Sequence, residues 1–189
     1  MGLSINIELS DNDLDHFVEV LKRAHQAAGA VDSHKITDAA RKLLEGASAA
    51  KVPEFISERL AKLEHLIDMV HDEGWGLQEE DKNRVLTALT YFADPQDVIP
   101  DSVPVVGYLD DAIMIELCVR ELKHELEAYQ DFCAYRVEQS AAHGTDVSTL
   151  GRAHWMDDRR QELQDRMRRR RDRDSYAAAS SGGGLFRFR

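Results

Sequence analysis

The sequence contains few residues that interrupt helices. It has 4 prolines and 11 glycines among 189 residues, and Pro95, Pro100 and Pro104 lie together in one short stretch. Proline inside a helix lacks an N–H donor, and glycine loses the most backbone freedom, so both are costly there. The long stretches without proline on either side of this one therefore predict an all-α chain.

Cysteines and long apolar runs are also scarce. Cys118 and Cys133 lie 15 residues apart on one predicted helix. At a rise of ~1.5 Å per residue they are separated by about 22 Å, which is beyond disulfide reach. Free thiols are typical of the cytoplasm. No uncharged stretch approaches the ~20 residues of a membrane span, and no apolar signal segment follows Met1. We therefore expect a soluble, cytoplasmic protein with no transmembrane segment.

Motifs of catalysis are missing as well. The sequence has no Gly-x-Ser-x-Gly elbow and no glycine loop of the kind that cradles phosphate. Glu121 and His124 form one Glu-x-x-His motif, whereas a helical di-iron site needs two copies and two further glutamates. Enzymatic function is disfavoured, and the sequence predicts no catalytic residue and no cofactor other than a possible divalent cation.

The net charge of −11 is unevenly distributed. Residues 1–151 contain 13 Lys and Arg against 29 Asp and Glu, a balance of −16, whereas residues 152–189 contain 11 Arg against 6 acids, a balance of +5. An acidic body repels nucleic acid and anionic membranes, so only the tail can reach such partners. The same body can also attract its own tail.

The apolar periodicity predicts a bundle of about five helices, with an extra Arg-rich C-terminal helix and a flexible tail. We divide the chain into an N-terminal arm and helix (1–30), the bundle (31–144), and a basic helix with a Gly/Ser linker and a terminal peptide (145–189). The predicted helices span about 10–28, 33–49, 53–73, 78–93, 109–140 and 150–173. The fifth has the clearest apolar seam, with alternating steps of three and four residues: Ala112, Ile115, Val119, Leu122, Leu126, Tyr129 and Cys133.

The connection between helices four and five, residues 94–111, has an unusual composition. Each proline prevents helix continuation, and each aspartate is placed where it can cap a following turn. Valines such as Val103 and Val106 are too apolar for an exposed loop, so we expect them beneath the bundle. Gly107 is expected to adopt a backbone angle that other residues avoid. The candidate motif residues are Asp94, Pro95, Asp97, Pro100, Asp101, Pro104, Gly107, Asp110 and Asp111.

This connection, with "LTALTYFA" before it and "DPQDVIPDSVPVVGYLDDA" within it, resembles the signature of the YkvA-like family of bacterial domains of unknown function. The resemblance covers about residues 84–125. It implies a small helical domain and no agreed activity. Some relatives are membrane-embedded just after this motif, but charged residues interrupt the corresponding helix here (Glu116, Arg120, Glu121 and Lys123).

The aspartates of the connection allow two interpretations. Carboxylates that converge can bind Mg²⁺ or Ca²⁺, and Asp97, Asp101, Asp110 and Asp111 are the candidate ligands. Alternatively, Asp97 and Asp101 cap short turns, and Asp110 or Asp111 caps helix five. The spacing does not fit an EF-hand loop.

The basic tail also allows several interpretations. Its arginines can lie in solvent, dock on the acidic body, or bind a polyanion or an anionic membrane. Behind the glycine linker, two aromatic residues and two cations can enter a pocket or extend a sheet edge of a partner. Alternatively, these last residues are a frayed terminus. The function best predicted is a non-enzymatic scaffold or adaptor that recruits a protein through this tail. The candidate partner-binding residues are Arg168, Arg169, Arg170, Arg171, Leu185, Phe186 and Phe188.

Overall fold

The computed structural model of the chain describes residues 8–28, 32–50, 52–93, 106–144, 146–147 and 156–181, together with Ile99 and Val103. Within these residues the chain forms seven α-helices and no strand, which confirms the prediction of an all-α bundle. The helices are α1 (Asp11–Ala28), α2 (Ser33–Ala49), α3 (Glu54–His71), α4 (Glu79–Ala88), α5 (Leu109–Glu121), α6 (Lys123–His143) and α7 (Asp157–Ser181). A 3-10 turn, Leu89–Ala93, continues α4.

The helix ends follow local capping chemistry. The Ser10 backbone N–H donates to the Asp13 carboxylate (2.9 Å), and the Asp13 N–H lies 3.4 Å from the Ser10 hydroxyl, as in a capping box. The Asp32 carboxylate accepts the His34 N–H at the start of α2 (3.1 Å). Gly144 ends α6 at φ +61°, a left-handed angle that glycine adopts without steric cost.

Helix α5 lies at the centre of the bundle, and α5 and α6 together run parallel to α3. Arg59 of α3 pairs with Glu116 of α5 (3.4 Å). Asp72, which directly follows α3, accepts the hydroxyl of Tyr129 on α6 (3.1 Å), and both residues lie 13 positions after the first pair. Residues on nearly every side of α5 are buried, so it lacks the one-sided apolar stripe of a surface helix. The fully buried α3 residue Leu63 belongs to the same core.

The long helix predicted over residues 109–140 is two helices. The backbone bends at Leu122 (φ −99°, ψ 21°), which ends α5 and precedes α6. Because Leu122 is fully buried, the bend keeps the predicted seam in the core. Cys118 therefore lies on α5 and Cys133 on α6, and both are free thiols.

Helix α7 is the Arg-rich helix predicted from sequence, although it ends later than expected. Its predicted apolar stripe is confirmed, because Met156, Leu163 and Met167 are all buried. The helix packs antiparallel against α6, with Arg166 beside Asp131 and, one turn further along α7, Arg170 beside Glu127. No helix in the described part of the chain is long and apolar enough to cross a membrane.

Candidate functional site

Six charged side chains meet where α4, the junction of α5 and α6, and α7 converge. We call this group the ionic cluster: Asp81, Arg84, Glu121, Glu125, Arg168 and Arg171. Asp81 accepts from Arg171 (2.7 Å) and Arg168 (3.0 Å). Glu125, which is fully buried, accepts from Arg171 (3.0 Å) and Arg84 (3.1 Å), and Arg84 also pairs with Glu121. Three carboxylates thus oppose three guanidinium groups, so the formal charges of the cluster cancel.

The helix termini explain why carboxylates tolerate burial in this cluster. Asp81 lies in the first turn of α4, and Glu125 lies in the first turn of α6. The positive end of the helix dipole favours a carboxylate at such positions. The arginines of α7 then supply the charge-assisted bonds that a buried carboxylate requires.

The Arg171 guanidinium stays charged in the cluster. Burial lowers the pKa of Arg171, but hydrogen bonds to Asp81 and Glu125 outweigh this effect, so its pKa is raised. Burial raises the pKa of Glu121, although Arg84 acts in the opposite direction. The ionic cluster holds opposite charges against one another, so its arrangement suits the attachment of α7 to the bundle.

A second set of contacts surrounds the turn formed by residues 74–76. One Asp72 oxygen accepts the N–H groups of Gly74 (2.9 Å) and Trp75 (3.1 Å), and the other accepts from Tyr129 (3.1 Å) and pairs with Arg136 (2.8 Å). Burial raises the pKa of Tyr129, and Cys133 and Asp72 add to this shift. Asp72 thus fixes both the turn after α3 and its contact with α6.

Helix α7 covers this turn directly. The Trp75 side chain is fully buried, and its ring centroid lies 5.1 Å from that of Phe132. Arg160 donates to the Gly74 carbonyl (2.8 Å), and Gln164 donates to the Trp75 carbonyl (2.8 Å). Both carbonyls therefore depend on α7 for hydrogen bonds that a buried backbone oxygen needs.

Helix α7 divides into two parts of different character. Residues 156–171, the anchored half, carry the buried apolar residues and the arginines of the ionic cluster. Residues 172–181 form the outer half, in which every side chain from 172 to 177 is exposed. Tyr176 is 81% exposed. An ion pair between His124 and Asp174 (2.9 Å) joins the outer half to α6, and its hydrogen bond lowers the pKa of Asp174.

The predicted partner-binding residues are thus placed differently from one another. Arg168, Arg170 and Arg171 pair with carboxylates of the body, as expected if the tail docks on the acidic surface. Arg169 is exposed and has no ion pair among the described residues. Leu185, Phe186 and Phe188 lie outside the described residues. That these seven residues bind a partner stays a prediction.

Ile99, Val103 and residues 106–111 of the Asp- and Pro-rich connection lie within the described residues. The candidate residues that lie outside them are Asp94, Pro95, Asp97, Pro100, Asp101 and Pro104. Asp110 is buried and accepts the Ile99 backbone N–H (2.8 Å), so a carboxylate in the first turn of α5 holds the connection against the helix. Asp111 is also buried.

Two expectations for this connection are wrong. Val103 and Val106 are about 40% exposed, so neither side chain is buried beneath the bundle. Gly107 is buried and has no positive φ, which among the described glycines occurs only at Gly76 and Gly144. The backbone of residue 107 instead donates to the Val103 carbonyl (2.9 Å) in an ordinary turn.

A divalent cation site in this connection stays a prediction. No group of three or more His, Cys, Asp or Glu side chains is arranged to hold a metal ion within the described ranges. Of the four candidate ligands, Asp97 and Asp101 lie outside those ranges, and one oxygen of Asp110 is bonded to Ile99.

Residues 82–117 match the model of a family described as a protein of unknown function (DUF1232). The match spans most of α4, the 3-10 turn, the connection and the first nine residues of α5. It includes Arg84 of the ionic cluster and Asp110. Comparison with curated proteins and with solved structures gave no significant match.

Proposed function

We propose that this protein is a non-enzymatic helical scaffold or adaptor that recruits a protein partner through its basic C-terminal tail. The observation that supports this proposal is the division of α7. Buried apolar residues and the ionic cluster hold its anchored half to the bundle, whereas every side chain from 172 to 177 in its outer half is exposed. A helix fixed at one end gives whatever follows it a defined starting direction.

The chemistry of the tail suits a protein partner. Aromatic and arginine side chains supply most of the binding energy at protein interfaces. The terminal residues Phe186, Arg187 and Phe188 bring these types together, and Arg169 has a guanidinium with no ion pair among the described residues. A short segment of this kind binds by filling a pocket or by adding to a sheet edge.

The connection and the thiols support two further parts of the proposal. The Asp- and Pro-rich connection lies within the matched segment, and its sequence supports a YkvA-like protein of bacterial origin. Both cysteines are free, which supports a reducing compartment such as the cytoplasm.

A co-purification experiment from the native cell tests the proposal. The full chain is compared with a variant lacking residues 175–189 and with a Leu185→Ala/Phe186→Ala/Phe188→Ala variant. We expect both variants to lose at least one partner that the full chain retains. A Gly182→Ser/Gly183→Ser/Gly184→Ser variant, which preserves a short polar linker, is the matched control and should retain it. If every interactor survives both changes, the adaptor proposal is wrong.

The two alternative functions have separate tests. A metal-dependent enzyme or sensor requires heat of binding with Mg²⁺, Ca²⁺ or Mn²⁺ and a higher melting temperature. A polyanion or membrane binder requires salt-sensitive binding to RNA or anionic vesicles. Such a ligand competes with the body carboxylates for Arg168 and Arg171.

A further inference from the structure

The surface beneath the anchored half is a groove with an apolar floor and an acidic rim, which we call the α7 groove. Trp75 and Phe132 form the floor, and both side chains are fully buried, with ring centroids 5.1 Å apart. Gln164 of α7 donates to the Trp75 carbonyl. Asp81, Glu127 and Asp131 form the rim, and each pairs with an arginine of α7. Glu125 lies deeper, where Arg171 reaches it.

We propose that the α7 groove is a docking site for an arginine-rich amphipathic helix of a partner protein, and that α7 is its replaceable occupant. This proposal concerns a different surface from the terminal residues 182–189 and does not depend on the adaptor function. It assigns the bundle a second interaction site, which is closed while α7 is docked.

The bound α7 shows which ligand pattern the groove recognises. Leu163 and Met167, one turn apart on the helix, are buried in the same core cluster as Trp75 and Phe132. A neighbouring face carries Gln164, Arg168 and Arg171, spaced by four and three residues, and these bind the Trp75 carbonyl and the buried carboxylates. Residues at this spacing share one face of a helix, so any helix with the same pattern makes the same bonds.

The position of α7 makes exchange feasible. Helix α7 lies at the edge of the bundle and packs mainly against α6, whereas α5 is buried on nearly every side. Only residues 144–156 connect α7 to α6. Several of its ion pairs involve partly exposed side chains, such as Arg170 with Glu127, and salt weakens pairs of this type. Release of α7 therefore leaves the helices that form the central core in contact with one another.

Charge favours a basic helix over other occupants. Residues 1–151 have a balance of −16, which attracts cationic partners and repels polyanions. The short tether keeps α7 at an effective concentration of about 1 mM, so a partner at micromolar concentration must bind about 1,000-fold tighter. Alternatively, the partner binds when the contacts between α7 and the groove have been weakened. A docked α7 therefore blocks access to the groove.

A peptide titration of the full chain tests the proposal. The host carries Trp155→Phe, so that Trp75 is the single tryptophan, and Arg168→Glu/Arg171→Glu, so that its own α7 is weakened. The probe is a fluorescein-labelled peptide with the sequence of residues 156–177. We expect the peptide to bind this host at least tenfold tighter than the Trp155→Phe host, with a blue shift of Trp75 emission and with weaker binding at higher salt.

Two controls separate groove binding from general attraction between charges. A peptide that itself carries Arg168→Glu and Arg171→Glu should bind neither the weakened host nor the Trp155→Phe host. An Arg169→Glu host should bind the original peptide with the same affinity as the Trp155→Phe host, because Arg169 faces solvent. If circular dichroism shows that the double reversal is not natively helical, Arg168→Gln/Arg171→Gln replaces it in the same titration. Equal peptide affinity for a folded weakened host and the Arg169→Glu host would overturn the proposal.

Discussion

At the residue scale, Asp72 joins three parts of the chain through one carboxylate. It caps the turn after α3, accepts the Tyr129 hydroxyl and pairs with Arg136. Burial lowers the pKa of Arg136, but Asp72 and other neighbouring groups outweigh this effect and raise it. A charged acceptor that serves several donors in a partly buried position contributes more than an exposed ion pair does.

We therefore expect Asp72→Asn to lower the free energy of unfolding by about 2 kcal/mol, because it removes the charge beside Arg136 and one acceptor. Urea denaturation followed by circular dichroism measures this change. Asp68→Asn is the matched control, since Asp68 lies one turn earlier on α3 with its side chain exposed. Equal stability of the two variants would contradict the role given to Asp72.

Cys118 provides a prediction for alkaline pH. Burial raises the pKa of its thiol to about 12, whereas an unfolded cysteine ionises at about 8.5. Because the folded state resists ionisation, the stabilising contribution is complete below about pH 8.5 and is lost as the pH rises toward about 12. Between pH 7 and pH 10 we expect the free energy of unfolding of the wild type to fall by about 2 kcal/mol more than that of Cys118→Ala. Urea titrations at the two pH values in which the wild type and Cys118→Ala lose the same free energy of unfolding would refute this prediction.

At the element scale, α5 shows where sequence periodicity succeeds and where it fails. The predicted seam from Ala112 to Tyr129 lies in the core, as expected from its alternating steps. The bend at Leu122 was missed because no glycine or proline marks it. A buried leucine with ordinary helix propensity bends here because α5 and α6 pack against different neighbours, and local sequence does not encode such contacts.

The start of α5 has its own test, because Asp110 holds the preceding connection through the Ile99 N–H. We expect Asp110→Ala to lower the free energy of unfolding by about 1–3 kcal/mol, since it leaves a part-buried donor without its acceptor. Asp158→Ala is the control, because Asp158 is likewise the second residue of its helix but is exposed. Chemical denaturation in which the two variants unfold at the same urea concentration would count against this anchoring contact.

The attachment of α7 yields another prediction. Arg171→Gln removes a positive charge that pairs with the buried carboxylates of Asp81 and Glu125. Loss of one partner of a buried pair costs about 3 kcal/mol or more, unless the helix detaches and exposes the carboxylates to water. We expect faster proteolysis of α7 and a red shift of Trp75 emission in a Trp155→Phe background. Arg169→Gln should change neither, and identical cleavage rates in both variants would exclude the proposed anchor.

At the scale of the whole molecule, the basic tail and the acidic body are in contact, since Arg166, Arg168, Arg170 and Arg171 pair with carboxylates of the body. The sequence allowed the tail to dock on the acidic body but did not indicate the pairing. Asp81 and Arg171 are 90 residues apart, and no periodicity relates them. Trp75 and Asp72 were missed for a similar reason, since their roles depend on α6 and α7. Helix starts rich in acids, such as that of α4, were the one signal that could have indicated the rim of the groove.

The central claim is that the anchored half of α7 belongs to the folded bundle and the outer half does not. Native-state amide hydrogen exchange measured by mass spectrometry tests this most directly, because buried, hydrogen-bonded helices exchange slowly and exposed ones open readily. We expect peptides within residues 156–171 to be protected to an extent similar to α6, with protection decreasing beyond residue 172. Uniformly rapid exchange from residue 156 onward would contradict the account.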